Sequence, residues 1–465
     1  MIPQKKTVAV IGGGVAGMSA ACALAEAGFG VTLLERRPYL GGRASSYMQP
    51  GVGEVIDNCQ HALFGCCTNL RGFYRRIGVE EKIHWTNAMT MIEPGGRRSA
   101  LGSVALPAPL HGLPKLLTAH AFSFADKLSL ARAFSAILRG KACDPQESLG
   151  VWLRRQRQSE GAMKRFWHLV IASALNADLE EISVVYAAMV IRGLFMNSSR
   201  AGAMGMSRVP LSTLYASVPQ FLAERGGSVV LQAGVDAAEW NEQTAQWTLH
   251  ARERVFPADF VIAALPFEAM GKLIAGLPAV ASVDALAEKI RKNTHWPIAS
   301  VHLWFDRAIT DLEHAVLLDG TMHWMYNQSL LQGRPGHYIE LVASAAQDFC
   351  TLNRKDAMDL VVKELGEYFP RVKEAKIEKF ALVKEMRATF GVPPGIDAAR
   401  PAQDAAPWPQ FFLAGDWTAT GWPSTMEGAA RSGHLAAEAL CRAAGVPRAC
   451  VEADLAPQGL MRLLR

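Results

Sequence analysis

The stretch Val10-Ile11-Gly12-Gly13-Gly14-Val15-Ala16-Gly17 decides the fold of this chain of 465 residues. It overlaps the end of a β-branched apolar run, residues 7–11, which is typical of a buried parallel strand. An alanine-rich segment follows, and Gly28 stands just beyond it, which predicts a helix with glycine past its C-terminal end. The apolar run 31–34 predicts the next strand. The glycines therefore lie at the first turn of a βαβ unit.

Gly12, Gly14 and Gly17 match the pattern Gly-x-Gly-x-x-Gly, and each glycine has its own reason to be there. The first allows a tight turn, the second lets the backbone approach a pyrophosphate, and the third lets helix and strand pack closely. The positive end of the helix then faces the phosphates. Glu35 follows at the end of the second strand, where a carboxylate accepts hydrogen bonds from ribose hydroxyls. The sequence thus predicts a dinucleotide cofactor.

Two further turns identify which dinucleotide it is. Leu40-Gly41-Gly42-Arg43-Ala44-Ser45 brings flexible backbone and a cation near the phosphates. Far along the chain, the apolar run 411–413 leads to Gly415 and Asp416, and a helix is predicted over 425–444. Asp416 is placed to accept a hydrogen bond from a ribitol hydroxyl, and the helix N-terminus stabilises negative charge on a flavin ring. This separated element favours FAD over NAD.

The composition excludes several classes of protein. The net charge is only +5, and the basic residues are scattered, so a nucleic-acid partner is not expected. Eight cysteines form neither a C-x-x-C pair nor a zinc spacing, which predicts reduced thiols, a cytoplasmic location and no metal site. No apolar run reaches about 18 residues, so no transmembrane helix is expected.

Strand and helix patterns alternate along the chain in a way that divides it into segments. The predicted fold class is α/β, with a Rossmann-like FAD-binding domain assembled from separated segments and an inserted α+β substrate domain. We assign residues 1–95, 206–275 and 400–450 to the FAD-binding domain. Residues 96–205 and 276–399 form the predicted substrate-binding domain, and 451–465 form a C-terminal tail.

Taken together, the three glycine motifs resemble those of the flavin amine oxidase and carotenoid desaturase superfamily. Within it, the segment 55–70, with Asp57, Gln60 and His61, is similar to the squalene-associated FAD-dependent desaturases, as are residues 301–306 and 414–429. Cys59 stands where that family more often has glycine. The resemblance implies reductive dehydroxylation in squalene and hopanoid biosynthesis: 12-hydroxysqualene and reduced flavin give squalene, water and oxidised flavin.

The motifs and the resemblance together give a set of predicted site residues. The expected contacts of FAD are Gly12, Gly14, Ala16, Gly17, Glu35, Arg36, Gly42, Arg43, Asp57, Gln60, His61, Val235, Gly415, Asp416, Thr425 and Met426. Loss of an allylic hydroxyl needs a general acid. His61 is the first candidate, and Glu427, at the start of the last helix, is the second. Each has an alternative role: His61 positions the flavin, and Glu427 is favoured by the helix dipole.

A C30 hydrocarbon substrate needs a long apolar binding tunnel. Such a substrate is dissolved in the lipid bilayer. Candidate lining residues are Phe166, Trp167, Leu194, Phe195, Met196, Met204, Met206, Trp296, Trp304, Trp324 and Tyr326. The segment 106–117, rich in leucine and proline, is expected to reach the headgroup region on the inner face of the cell membrane. The alternative is a buried connection in the substrate domain. No second nucleotide fingerprint is present, so no electron donor for FAD is assigned.

Other activities of the superfamily remain open at this point. A carotenoid or phytoene desaturase removes hydride from a similar hydrocarbon. An amine or protoporphyrinogen oxidase takes a polar or macrocyclic substrate, and Lys292 is then the candidate lysine near the flavin. A plain flavin-binding module is disfavoured because it does not need so large an inserted section.

Overall fold

The computed structural model describes residues 5–463 of the chain. The strands, in chain order, are β1 (Thr7–Ile11), β2 (Gly30–Leu34), β3 (Ser46–Gln49), β4 (Glu54–Asp57), β5 (Leu63–Phe64), β6 (Ile83–Thr86), β7 (Ala88–Ile92), β8 (Arg98–Gly102), β9 (Met204–Ser207), β10 (Ser228–Val230), β11 (Ala237–Asn241), β12 (Gln246–Ala251), β13 (Arg254–Ala258), β14 (Phe260–Ala264), β15 (His295–Phe305), β16 (His314–Leu317), β17 (Trp324–Asn327), β18 (His337–Ala343), β19 (Ile377–Phe390) and β20 (Phe411–Ala414).

The α-helices are α1 (Val15–Glu26), α2 (Thr68–Arg76), α3 (Leu113–Thr118), α4 (Phe124–Leu138), α5 (Leu149–Arg155), α6 (Glu160–Ala162), α7 (Ala172–Leu175), α8 (Val184–Ile191), α9 (Leu211–Leu214), α10 (Val218–Ala223), α11 (Phe267–Leu273), α12 (Val283–Arg291), α13 (Gln328–Gln332), α14 (Gln347–Thr351), α15 (Arg354–Tyr368) and α16 (Met426–Ala443). Two π-helical segments follow directly on helices: Met163–Ile171 follows α6, and Arg192–Met196 follows α8. Short 3₁₀ turns are Glu80–Lys82, Leu110–Gly112, Ile274–Gly276, Pro370–Glu374, Ile396–Ala399 and Gly459–Leu463.

A parallel five-stranded sheet, in the order β10-β2-β1-β14-β20, carries the first glycine turn. Its strands come from the start, the middle and the end of the chain. The inner strands are short apolar runs that are mostly buried, whereas β10 at the edge is partly exposed. α1 and α16 cross closely beside the sheet, where a Cβ on Gly433 would lie 2.1 Å from the Ala16 carbonyl oxygen. The predicted α/β fold with a Rossmann-like sheet built from separated segments is confirmed.

A seven-stranded sheet, in the order β19-β15-β18-β17-β16-β7-β8, forms the second layer. Its neighbours are antiparallel except for β16 and β7, which are parallel. Alternate residues such as Leu341 on β18 and Met325 on β17 pack with Val361 and Leu365 of α15. The residues between them, such as Val342, face the opposite side, where the large cavity lies.

One predicted boundary crosses a β-hairpin. β7 pairs with β8 and with β16 of the inserted section, yet the boundary at 95/96 separates β7 from both. The sheet partners therefore correct the prediction, because residues 88–92 belong with the inserted section. Between β8 and β9 the chain is helical, from α3 to the second π-helical segment. Within residues 5–463, none of the helices combines the length and the apolar character needed to cross a bilayer.

Candidate functional site

A cavity of about 1620 Å³ connects the first glycine turn with the apolar face of the seven-stranded sheet and with the helical section. Pockets for single small ligands usually have volumes of roughly 300–1,000 Å³. The cavity therefore has room for a dinucleotide cofactor together with a second, large ligand. Its walls come from both predicted domains, so the site lies where they meet.

The glycines of the first turn fit a bound pyrophosphate. Gly12 has a φ of +106°, and a Cβ there would lie 2.4 Å from the Ala264 carbonyl oxygen. At Gly17 a Cβ would lie 1.9 Å from the Gly12 carbonyl oxygen, so this glycine serves packing and does not line the cavity. Gly14 is different, because the one atom near its added Cβ is the Gly42 Cα at 3.9 Å. Space is thus open at Gly14, where the phosphate approach was predicted.

Glu35 is buried at the end of β2 and is held rigidly. Its Oε2 accepts a hydrogen bond from the Gly13 amide at 2.7 Å, and its Oε1 accepts one from the Arg37 amide at 2.7 Å. Each carboxylate oxygen keeps a further lone pair for a ribose hydroxyl. Arg36 and Val235 line the cavity beside it. These positions agree with a dinucleotide site.

Arg43 and Asp416 bring the second and third glycine motifs together. Their side chains form an ion pair at 2.5 Å, and Arg43 also donates to the Ala388 carbonyl oxygen at 3.1 Å. The other oxygen of Asp416 accepts from the Ser424 hydroxyl at 2.5 Å. Thr425 caps α16, since its hydroxyl accepts from the Gly428 amide at 3.0 Å. The first turn of α16 therefore meets the cavity next to a fixed pair of charges.

His61 lines the cavity with its imidazole held by its own segment. Nδ1 lies 2.6 Å from the Cys59 carbonyl oxygen. Burial, together with the charge of the nearby Arg43, lowers the pKa of His61 to about 4. The ring is therefore neutral near pH 7, with Nδ1–H donating to the carbonyl and Nε2 left as an acceptor. Near pH 7 the ring therefore carries a proton on Nδ1 alone, and Nε2 is the atom at which it accepts one.

Both carboxylate oxygens of Glu427 accept hydrogen bonds from residues of helix α2. Its Oε1 accepts from the Asn69 amide at 3.1 Å and from Asn69 Nδ2 at 3.0 Å, and its Oε2 accepts from the Leu70 amide at 2.8 Å. A carboxylate at a helix N-terminus is stabilised by the unpaired amides and the dipole. Glu427 also lines the cavity, and its contacts give it a structural role in joining α2 to α16. Its role as second acid stays a prediction.

Asp57 lies outside the cavity, which corrects its prediction as a cofactor contact. Its Oδ1 accepts from the Ser46 hydroxyl at 2.5 Å and from the Leu211 amide at 3.1 Å. Burial raises the pKa of Asp57 to about 6. The side chain ties β3, β4 and the start of α9 together, behind the cavity wall. Of the predicted FAD contacts, the lining residues are Gly12, Gly14, Ala16, Glu35, Arg36, Gly42, Arg43, Gln60, His61, Val235, Gly415, Asp416, Thr425 and Met426.

Apolar residues line the part of the cavity away from the glycines. Five of the predicted tunnel residues are among them, namely Leu194, Phe195, Met204, Trp324 and Tyr326. The other six pack elsewhere in the core: Phe166, Trp167, Met196, Met206, Trp296 and Trp304. Both π-helical segments contribute to the wall, through Leu169 and Val170 in the first and residues 192–195 in the second. π-Helical turns of this kind are frequent at functional sites.

Several residues of this wall are not predicted from the sequence. Ile298 and Val342 face the cavity from the central strands β15 and β18. The alternation of a sheet that is buried on both faces is hard to see in the sequence, because most positions on both faces are apolar. Two buried polar residues behind Gln60 are not predicted either, namely Gln328 and Glu340. A carboxyl group within the apolar run of β18 was the available signal. In the part of the chain that the structure describes, no group of three metal-ligating side chains occurs.

Comparisons with known proteins agree with this geometry. The family described as flavin containing amine oxidoreductase matches residues 15–441. The 15-cis-phytoene desaturase of Synechococcus elongatus is 27% identical, over 93% of this chain and 95% of that protein. The tomato (Solanum lycopersicum) 15-cis-phytoene desaturase is 26% identical, over 93% of this chain and 77% of that protein. A putrescine oxidase structure with bound putrescine has a TM-score of 0.72 at 16% identity, over 94% of this chain and 99% of that one. That last likeness is one of fold.

Proposed function

The chain belongs to the flavin-containing amine oxidoreductase family and its cofactor is FAD, and on this premise we propose that it exchanges hydride with a long isoprenoid hydrocarbon. The observation that carries the proposal is the single cavity that holds both the cofactor residues and an extended apolar wall. A polar amine does not need such a wall. A hydrocarbon does, since burial of apolar surface provides most of its binding energy.

The residues of this chain would hold FAD in an extended form. Gly14 and the first turn of α1 meet the pyrophosphate, Glu35 the ribose, and Asp416 the ribitol. When bound, FAD supplies or takes the hydride and two electrons. The wall that includes Phe195, Met204 and Trp324 excludes water and lies against the hydrocarbon. Aromatic faces also stabilise a carbocation in the chain.

Desaturation is the direction that we favour. A saturated C–C bond loses hydride from one carbon and a proton from its neighbour, and a C=C bond forms while FAD gains two electrons. The protein must then accept one proton. His61 suits this step, because its ring is neutral with Nε2 free to accept. The names of the curated relatives, 15-cis-phytoene desaturases, support the same direction.

Reductive dehydroxylation of hydroxysqualene is the second candidate, and the segment 55–70 favours it through its resemblance to squalene-associated enzymes. This reaction consumes a proton, since the hydroxyl leaves as water. His61, whose pKa is lowered to about 4, is almost entirely unprotonated near pH 7 and so carries no extra proton for that step. The Glu427 oxygens accept hydrogen bonds from the Asn69 and Leu70 amides of α2.

An amine oxidase activity has less support. Lys292 forms an exposed ion pair with Glu288 at 3.1 Å and does not line the cavity. The role proposed for it, beside the flavin, therefore has no geometric basis.

One experiment separates the two directions. Oxidised holoenzyme is mixed anaerobically with 15-cis-phytoene, and reduced holoenzyme with 12-hydroxysqualene, each in detergent micelles. Flavin absorbance is followed with time, and products are identified by mass spectrometry. Flavin bleaching with a product lighter by two hydrogens supports desaturation. Flavin reoxidation with formation of squalene supports dehydroxylation. If neither occurs but putrescine bleaches the flavin, the isoprenoid proposal is wrong.

We also propose that the chain collects its substrate from an anionic lipid surface. Six apolar side chains on the helical section are exposed and make up what we name the leucine surface: Leu106, Leu110, Leu113, Leu117, Phe124 and Leu128. The segment 106–143 carries five lysines and arginines but a single acid, Asp126, which is buried. Apolar side chains flanked by cations are typical of proteins that lie in the interface of anionic membranes.

A further inference from the structure

We propose that Glu340 is a positioning residue that fixes the cavity wall formed by Cys59, Gln60 and His61. Glu340 lies in the middle of β18 and is fully buried. It does not line the cavity, whereas the three residues of the wall do. Its effect on the site must therefore pass through the segment that it holds.

The contacts of Glu340 form a clamp around Gln60. Oε1 accepts a hydrogen bond from the Gln60 amide at 2.6 Å. Oε2 accepts from Gln328 Nε2 at 2.7 Å, and the same nitrogen donates to Gln60 Oε1 at 2.6 Å. Gln332 Nε2 donates in turn to Gln328 Oε1 at 2.9 Å. Glu340 thus fixes Gln60 by its main chain directly and by its side chain through Gln328.

No positive charge balances this carboxyl group. Within residues 5–463, Glu340 has no ion-pair partner, and burial, followed by the charge of Asp57, raises its pKa to about 8. Placing such a group inside a sheet costs free energy, which is recovered only when all its hydrogen bonds are made. In this structure these hydrogen bonds fix the conformation of the wall segment Cys59, Gln60 and His61.

The clamped segment reaches the cofactor residues on one side and the neighbouring strand on the other. His61 is oriented by the Cys59 carbonyl group, so the direction of its Nε2 follows the position of the clamp. Asn58 donates to the Arg43 carbonyl oxygen and accepts from the Ser300 hydroxyl of β15 at 3.0 Å. A shift of Gln60 would therefore move the wall relative to the turn that carries Arg43.

The test compares holoenzyme variants by the visible absorption spectrum of bound FAD and by the dissociation constant for FAD. Glu340→Ala releases the clamp, and we expect shifted flavin bands and FAD binding weaker by about tenfold. Glu340→Gln keeps an oxygen that accepts from the Gln60 amide, so we expect partial recovery of both. Gln328→Leu removes one arm of the clamp and should shift the bands in the same direction as Glu340→Ala.

Tyr338→Phe is the matched control. It lies two residues away on the same strand and loses a buried hydrogen bond to His302 Nδ1 at 2.7 Å, and this hydroxyl takes no part in the hydrogen bonds that hold Gln60. We expect its flavin spectrum to match that of the unmodified protein. The proposal is overturned if Glu340→Ala and Gln328→Leu keep the unmodified spectrum and FAD affinity, or if Tyr338→Phe changes both equally. If Glu340→Ala does not fold, Gln328→Leu and Glu340→Gln decide between these outcomes.

Discussion

Arg43 Nη2 lies 2.5 Å from Asp416 Oδ1, and this ion pair joins two turns that are 373 residues apart in the sequence. Asp416 is buried, and Ser424 donates to its second oxygen. Asp416→Asn keeps the shape but removes the charge that holds Arg43. We therefore expect the dissociation constant for FAD to rise about tenfold, which is about 1.4 kcal/mol. Quenching of flavin fluorescence in a titration of apoprotein measures it.

Asp311→Asn is the control for that prediction, because Asp311 forms an exposed ion pair with Arg98 at 3.4 Å. Exposed pairs contribute about 0–1 kcal/mol to stability. Its FAD affinity should match that of the unmodified protein. An unchanged affinity for Asp416→Asn would contradict the role of the pair in cofactor binding.

Gly14 and Gly17 should respond differently to the same substitution. A methyl group at Gly17 would overlap the Gly12 carbonyl oxygen, so Gly17→Ala should lower the melting temperature. A methyl group at Gly14 finds no protein atom closer than 3.9 Å but enters the space for the pyrophosphate. Gly14→Ala should therefore leave the melting temperature of the apoprotein unchanged and weaken FAD binding at least tenfold. Thermal unfolding and FAD titration check both, and a destabilised Gly14→Ala apoprotein would contradict the assignment.

The glycine turns and the parallel strands were predictable because local rules act on them. Each of these features can be recognised from a few neighbouring residues: a short β-branched run, a glycine at the positive φ of Gly12, and a carboxylate at the end of β2. The apolar wall was predicted less well. Trp324 lines the cavity while Trp304 packs outside it, since strand register and not residue type decides which face a side chain takes. The contacts of Glu427 with α2 and of Glu340 with Gln60 join residues hundreds of positions apart, and no local pattern records such pairs.

The leucine surface should bind anionic vesicles. Leu113 and Leu117 are exposed on one side of α3, so Leu113→Asp with Leu117→Asp adds charge there without opening the core. We expect the unmodified protein to float with liposomes of phosphatidylglycerol and the double variant to stay at the bottom of the gradient. The matched control is Val255→Asp with Leu330→Asp, two exposed apolar residues outside the leucine surface. Equal flotation of the double variant and the unmodified protein would remove the proposal.

Buried histidines should make the protein less stable as the pH falls. His302 is fully buried between Ser300 and Tyr338, and burial lowers its pKa to about 3. In the unfolded chain histidine titrates near about 6.5, so below that pH the unfolded state binds a proton that the folded state excludes. Stability is therefore lost as the pH falls from about 6.5, by about 1.4 kcal/mol per pH unit for this one group.

His302→Gln keeps hydrogen-bonding capacity and removes the titrating group. Urea unfolding of the two proteins between pH 7 and pH 5 should give free energies that converge as the pH falls, because only the unmodified protein loses the contribution of His302. Parallel curves over this range would show that His302 does not stay neutral in the folded state.

His61→Ala should separate cofactor binding from catalysis. The imidazole meets the cavity, but its fixed contact is with its own segment, so FAD should remain bound. Loss of the proton acceptor should slow turnover by about 10²-fold, which is the usual size of a general base effect. The pKa of about 4 predicts that the rate of the unmodified protein is level above about pH 6 and falls at lower pH, as the ring becomes protonated. His84→Ala, which removes a histidine bound to Glu313 at the surface, is the control. Single-turnover flavin reduction by the substrate found active gives the rates, and a His61→Ala rate equal to that of the control would exclude His61 as the base.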